Sequence, residues 1–264
     1  MLRRLALVGL CLTGWPARAQ LNESDTTRLQ VRAALTGNYQ KGNVEVSTVR
    51  GKLDVVLSPD RVSPDQVWVF KSQNASLYQA FYGVKADNDL FSRNYLYYRP
   101  GRRVYPFAIA YLSTNYRRKI DLRYFAGAGG TGQLIRRPGH TLKLAAGAVY
   151  ESTRFTAATF NETRYDGSET IGVWRVTTWL GGWHSLWDGH LRLYYDAYYQ
   201  PALSDTRNYR WQYDVGVDFP VWKGLSFNAL YTYTHENVVV QRIRPDDRIL
   251  TVGLAYALRK VHRR

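Results

Sequence analysis

Residues 209–219 read YRWQYDVGVDF, and large apolar or aromatic side chains alternate there with polar or small ones. The odd positions carry Tyr, Trp, Val and Phe, whereas the even positions carry Arg, Gln, Asp and Gly. A period of two residues is typical of a β-strand whose two faces meet different surroundings. The run is longer than the ~5–6 residues of a usual soluble strand and suits the ~9–11 residues of a tilted membrane strand.

The same alternation recurs along most of the chain. It is clear near residues 29–35, 120–131, 141–150, 191–200, 225–234 and 250–258. Segments near 66–78 and 85–98 alternate poorly, and we infer strands there from their spacing. An open sheet edge cannot be satisfied in hydrocarbon, so membrane strands must close on themselves. The predicted fold class is all-β, a transmembrane antiparallel up-and-down β-barrel of about 12 strands.

The first residues predict export. Arg3 and Arg4 precede a short apolar run, and Ala17-Arg18-Ala19 has the small-x-small form of a cleavage site. We therefore expect a signal peptide at 1–19, a barrel at 20–258 and a basic extension at 259–264. Cys11 raises lipid attachment as the less favoured alternative, because Leu10 is larger than a lipidation signal prefers. The expected location is the outer membrane of a Gram-negative bacterium.

Connection lengths predict the orientation of the barrel. Short turns near 99–103, 136–139, 186–189 and 222–224 all fall at one end if strands run up and down alternately. The longer stretches 156–168, 202–208 and 236–247 fall at the other end. Outer-membrane barrels have short periplasmic turns and longer outer loops, so the short turns are predicted to face the periplasm.

The polar face of the predicted strands supplies the candidate site. The candidate lumen-lining residues are Arg123, Lys143, Arg175, Arg192, Asp196, Arg210, Asp214 and Asp218, with Arg32, Arg50, Lys52 and Asp54 on the same face. Cationic rings in a pore favour acidic solutes, so one hypothesis is an anion-biased pore. The other is a lumen filled by an Arg–Asp network that solvates its own charge.

The high positive charge, +15 overall, bears on partners. No basic helix or RNA-binding module accompanies it, so we expect no nucleic-acid partner. Arginines at the rim suit the phosphates of outer-membrane lipid and lipopolysaccharide. The barrel-assembly machinery is the other expected partner.

Five motifs give the chain a resemblance to a known family. They are TGNYQKGN at 36–43, FAGAGG at 125–130, RRPGHTL at 136–142, LAAGAVYE at 144–151 and DRILTVGL at 247–254. The chain resembles the salt-induced outer-membrane proteins, a group of small barrels. The resemblance implies an outer-membrane barrel and supplies no catalytic residue. One departure is Leu258, which stands where barrel chains commonly end in an aromatic residue.

The sequence thus favours a passive narrow pore or a structural envelope protein. An enzyme acting on lipid or lipopolysaccharide is the alternative, but neither His184 nor His235 has Ser and Asn at a recognisable cross-strand spacing. A soluble β-sandwich is a further, weaker alternative. The G-x-G-x-x-G match at 127–132 is interpreted as strand glycines, since no helix pattern follows it. No catalytic residue, cofactor or metal is expected.

Overall fold

A computed structural model describes residues 21–25, 27–41, 45–58 and 67–260. These residues form twelve antiparallel strands that close into one barrel. The strands are β1 (Leu29–Gln40), β2 (Val46–Leu57), β3 (Trp68–Phe81), β4 (Val84–Tyr98), β5 (Val104–Asn115), β6 (Ile120–Arg137), β7 (His140–Phe155), β8 (Thr170–Leu186), β9 (Leu191–Pro201), β10 (Tyr209–Trp222), β11 (Leu225–Glu236) and β12 (Asp246–Lys260). The predicted fold class is confirmed.

Closure occurs between the first and last strands. β1 pairs with β12 from Leu29 opposite Lys260 to Thr36 opposite Gly253. Every other pair joins strands that are neighbours in sequence. β12 therefore runs two residues beyond the boundary predicted at 258. The predicted signal peptide lies outside the described residues, as do the last four residues of the predicted extension.

The outer wall of the barrel is apolar. Leu250 is 68% exposed and Leu254 is 52% exposed on β12. Leu144 on β7 and Val215 on β10 are also exposed, while their sequence neighbours point inward. A soluble sheet would place charge on such a wall, whereas a membrane barrel needs a lipid-facing apolar band. Among the described residues, no helix has the length and apolar character to span a bilayer.

The two ends of the barrel differ. One end, here the terminal end, holds the start of β1, the end of β12 and tight turns such as residues 138–139 and 223–224. The opposite loop end carries the long connections 156–169, 202–208 and 237–245. The predicted separation of these short turns from these long loops is confirmed. The other three connections at the loop end are short; residues 82–83 alone join β3 to β4.

Two long loops fold inward over part of the loop end. Phe160, after β7, forms a β-bridge with Val240, after β11. Both side chains are buried and pack with Phe155, Ile171 and Val238. Because these rings and aliphatic groups exclude water, this cluster forms an apolar lid over one side of the barrel.

Candidate functional site: the interior of the barrel

The structure places all eight candidate lumen residues on the inner wall. Six are buried, namely Arg123, Lys143, Arg175, Arg192, Arg210 and Asp218. Asp196 and Asp214 are half-buried and line a cavity. Arg32, Arg50 and Asp54 are buried on the same wall, with Lys52 half-buried beside them. The side chains do not form one ring, because their strands place them at three heights along the axis.

The group nearest the loop end is organised by Glu151, which sequence reasoning did not single out. Glu151 on β7 is 2% exposed. Its Oε1 lies 3.1 Å from Arg175 Nε and 4.0 Å from Arg123 Nε. Its Oε2 contacts Arg210 Nη2. One carboxylate therefore faces three predicted pore arginines.

Glu236, at the end of β11, adds a second missed carboxylate to this group. Arg123 donates to it through both terminal nitrogens, Nη1 to Oε1 and Nη2 to Oε2, each at 2.7 Å. This paired geometry is the strongest form of an Arg–carboxylate contact. Arg118 Nη1 also lies 3.8 Å from Glu236 Oε1, and Arg118 Nε lies 2.8 Å from Asp247 Oδ2, so the charge of this group is largely compensated.

A second ion pair lies nearer the terminal end. Arg32 on β1 donates from Nη2 to Asp218 Oδ1 on β10 at 3.1 Å, past the two intervening strands β12 and β11. Asn228 Nδ2 donates to the same oxygen at 2.8 Å and to the Tyr194 hydroxyl at 2.6 Å. At mid-height, Arg93 Nη2 lies 3.6 Å from Asp196 Oδ2. Arg32 and Arg93 thus each have a carboxylate partner on another strand.

The segment before β1 folds into the terminal end of the barrel. Glu23 is 3% exposed, although it belongs to no strand. Lys143 Nζ donates to Glu23 Oε1 at 2.8 Å, to Asn22 Oδ1 at 2.7 Å and to Ser24 Oγ at 3.2 Å. The Tyr105 hydroxyl also donates to Glu23 Oε1, at 2.9 Å. We call residues 21–25 the terminal plug.

The negative charge of Glu23 is stabilised by its cationic neighbours. Burial alone would raise its pKa, but the nearby ammonium groups of Lys143 and Lys71 lower the pKa well below its usual range. Lys71 Nζ lies 3.5 Å from Glu23 Oε2. The carboxylate therefore stays ionised across the physiological pH range, and the plug is held by charge as well as by hydrogen bonds.

One side of the interior is aromatic, which the predicted polar face of the strands did not include. Tyr111 on β5 stacks on Phe125 of β6 with ring centroids 4.5 Å apart. Tyr95 and Tyr97 stack at 5.4 Å, and Phe107 meets Tyr95 edge-on. The poor alternation near 85–98 concealed this wall, since both faces of β4 mix polar and aromatic residues.

Adjoining cavities run along the interior of the described barrel. The terminal cavity, about 120 Å³, is lined by Glu23, Lys143 and Asp218 among others. The aromatic cavity, about 60 Å³, and the loop-end cavity, about 120 Å³, lie beyond it. Tyr111 and Tyr198 line all three, so these two side chains stand at their junction. Each volume exceeds the ~10–15 Å³ that admits one water molecule.

The terminal cavity is balanced in charge while the plug is docked. Its cationic lining residues are Arg32, Lys52, Lys71, Arg93 and Lys143. Its carboxylate lining residues are Glu23, Asp54, Asp196, Asp214 and Asp218. Five charges of each sign therefore face this space, and one of the negative charges belongs to the plug itself.

The histidines considered for catalysis have other partners. His184 Nδ1 lies 3.2 Å from His140 Nδ1, and its Nε2 lies 2.9 Å from the Tyr195 hydroxyl. His235 Nδ1 lies 2.9 Å from Asp246 Oδ1. In the described part of the chain, neither histidine bonds a serine hydroxyl, and no group of three or more potential metal ligands comes together. The glycines at 127–132 lie within strand β6.

Several solved structures are similar in shape. The translocator domain of the autotransporter NalP from Neisseria meningitidis is 14% identical, with 88% of this chain and 89% of that chain covered and a TM-score of 0.46. The NanC porin is 9% identical, with 87% and 100% covered and a TM-score of 0.48. An outer-membrane channel from Pseudomonas putida F1 is 12% identical, with 91% and 100% covered and a TM-score of 0.45. No curated protein sequence matches the chain.

A family model gives a match over nearly the whole chain. It covers residues 17–258, which include β1 to β11 and most of β12. The salt-induced character implied by the resemblance stays a prediction. The chain belongs to the family described as protein of unknown function, DUF481.

Proposed function

We propose that this protein is a narrow outer-membrane pore that the terminal plug holds closed. The observation that carries the proposal is the docking of Glu23 against Lys143, Lys71 and Tyr105 inside the barrel. A terminal segment that only led into β1 would have no need of a buried carboxylate with three partners. Burying such a charge is costly unless it is paired, and the inner wall supplies the pairing groups.

The adjoining cavities supply the path for solute. They lead from the plug, past Tyr111 and Tyr198, to the loop end beside Arg117, whose side chain is 33% exposed there. Their volumes of about 60–120 Å³ suit small ions and small polar solutes. The apolar lid covers the other side of the loop end, which leaves the mouth next to the short loops.

The charge balance gives the open state an anion bias. Release of the plug removes Glu23 and leaves five cationic groups against four carboxylates around the terminal cavity. Around the loop-end cavity, four arginines face three carboxylates. A narrow low-dielectric channel focuses the field of such a modest excess, so small anions are the favoured solutes. A purely structural barrel is the competing proposal, favoured by the buried ion pairs.

Glu23→Gln is expected to open the pore. Loss of one partner from a buried ion pair costs roughly 3–5 kcal/mol, so the ratio of released to docked plug should rise about 100-fold or more. Chloride efflux from lipid vesicles containing the refolded variant should therefore be much faster than with the wild type. Potassium efflux should rise less, because the open path favours anions.

Asp25→Asn is the matched control, since it removes the same charge from the same segment at a residue whose Oδ1 accepts hydrogen bonds from Thr27. Its efflux should equal that of the wild type. Lys143→Gln tests the wall side of the contact and should open the pore as Glu23→Gln does. Unchanged chloride efflux in both variants, with folded barrels verified by gel mobility, would contradict the plugged pore and favour the purely structural barrel.

Acidification gives an independent expectation for the wild type. A carboxylate with a lowered pKa keeps its pairing energy above the unfolded value of ~4.3 and loses it only as the pH falls further. Because the pKa of Glu23 lies well below its ordinary value, efflux should not change between pH 7 and pH 5. An increase over that range would show that another titrating group controls the plug.

We also propose outer-membrane lipid and lipopolysaccharide as the surroundings of the barrel. Arg154, Arg164 and Arg207 near the loop end expose 47–66% of their side chains. Guanidinium groups at such positions match the phosphates of the outer leaflet. Export through a cleaved segment at 1–19 and insertion by the barrel-assembly machinery complete this proposal.

A further inference from the structure

The lipid-facing wall carries a cluster of four polar residues at mid-height on β3 and β4. Ser72 and Asn74 on β3 stand opposite Asn94 and Ser92 on β4 in the strand register. Their sequence neighbours Lys71, Gln73 and Arg93 line the interior cavities, so these four side chains point outward. We call Ser72, Asn74, Ser92 and Asn94 the belt patch.

The belt patch is unusual within the outer wall. At comparable heights, β10 presents Val215 and β12 presents Val252 and Leu254. An amide in hydrocarbon costs several kcal/mol for each unsatisfied group. Asn74 Nδ2 donates to Ser72 Oγ at 2.9 Å, and Asn94 Nδ2 donates to Ser92 Oγ at 3.0 Å. Within the described chain no hydrogen bond reaches the Oδ1 oxygen of either asparagine.

Apolar residues of mixed size border the patch: Leu53 on β2 stands opposite Asn74, and Leu112 on β5 stands opposite Ser92. Gly51 on β2 stands opposite Ser76 on β3, and Ala110 on β5 stands opposite Asn94. A Cβ added at Gly51 would meet nothing within 4 Å. Gly51 and Ala110 therefore leave space on the wall beside the patch, between larger apolar side chains. Small residues with polar groups among them are the usual composition of protein contacts inside membranes.

We propose that a second copy of this chain covers the belt patch, giving a dimer with a two-fold axis along the membrane normal. A partner must present polar groups at the same membrane depth, and an identical barrel in the same orientation does so by symmetry. Each carboxamide carries both a donor and an acceptor, so Asn74 and Asn94 can bond the same residues of the other copy. The proposal is independent of the pore and its plug.

The test is the oligomeric state of the full chain in lipid nanodiscs or mild detergent, measured by chemical cross-linking and native mass spectrometry. The wild type should be dimeric, and the double variant Asn74→Leu with Asn94→Leu should be at least 10-fold poorer in dimer. Thr178→Leu is the matched control, because Thr178 on β8 is exposed on the wall away from the patch. That variant should dimerise like the wild type.

A measurement of folding distinguishes loss of the dimer contact from misfolding of the variant. Leucine suits the lipid belt, so the double variant should stay folded, with an unfolding midpoint in urea no lower than that of the wild-type monomer. Monomeric wild type, or a double variant that dimerises normally, would overturn the proposal. Recovery of the wild type only with a different protein would overturn it as well, because the partner would then not be a second copy.

Discussion

Val215→Arg should sharply reduce the folded yield of the barrel, whereas Gln212→Arg should leave it close to the wild-type value. Val215 is 41% exposed at the middle of β10 on the lipid-facing wall. An arginine near the bilayer midplane costs roughly 2–4 kcal/mol. Gln212 lies on the same strand but lines the terminal cavity, where a charge meets water and carboxylates.

Folding of both variants into lipid vesicles can be followed by heat-modifiable gel mobility and by urea titration. The comparison is matched, because both variants add the same side chain to the same strand. Trp211→Arg should be intermediate, since Trp211 faces lipid at the start of β10, near the loop end of the barrel. Equal yields for Val215→Arg and Gln212→Arg would show that the two faces of β10 are not lipid-facing and lumen-facing.

Glu151→Gln should be among the most destabilising conservative substitutions in the barrel. The change leaves Arg123, Arg175 and Arg210 near one another with one of their two carboxylates removed. Breaking a buried ion pair by removing one partner costs about 3–5 kcal/mol. The urea midpoint of unfolding should fall accordingly.

Two further variants calibrate that result. Asp121→Asn also removes a carboxylate from an arginine pair, but Asp121 and Arg154 are 49% and 58% exposed, so the cost should be about 0–1 kcal/mol. Adding Arg175→Gln to Glu151→Gln should restore part of the lost stability, because it removes one uncompensated charge. Equal losses of unfolding free energy for Glu151→Gln and Asp121→Asn would contradict the claim that Glu151 compensates the charge of the buried arginines.

Much of the fold could be predicted because lipid and lumen impose opposite demands on alternate residues. The segment from Tyr209 to Phe219 shows this directly, as does the apolar series from Leu250 to Leu258. β3 and β4 could be placed only by spacing, since their outer faces carry the belt patch. If a second copy covers that patch, β3 and β4 lack apolar alternation because their outer faces contact protein instead of lipid.

The interior was harder to predict. Alternation from Tyr150 already indicated that Glu151 faces inward, so a signal for this residue existed. Glu236 was hidden at a strand end that the sequence pattern assigned to a loop. Glu23 had no signal at all, because it lies outside the strands and its position depends on contacts with Lys143 and Tyr105, each over 80 residues away in sequence.

These missed carboxylates change the electrostatic expectation for a pore. The arginines at 123, 175 and 210 are not free to act on a solute as the sequence suggested, because Glu151 and Glu236 bond them. In the proposed pore, the anion bias therefore depends on whether Glu23 occupies the terminal cavity. The charge pattern alone predicts an excess of positive charge, and under the same proposal the docked plug sets how much of that excess a solute meets.

Single-channel recording of the wild-type protein in planar bilayers at neutral pH tests the central claim most directly. The account predicts no sustained conductance steps, while Glu23→Gln recorded under the same conditions shows steps that demonstrate insertion. A steady open channel in the wild type, equal in size and frequency to that of Glu23→Gln, would contradict the closed state and the role of the plug.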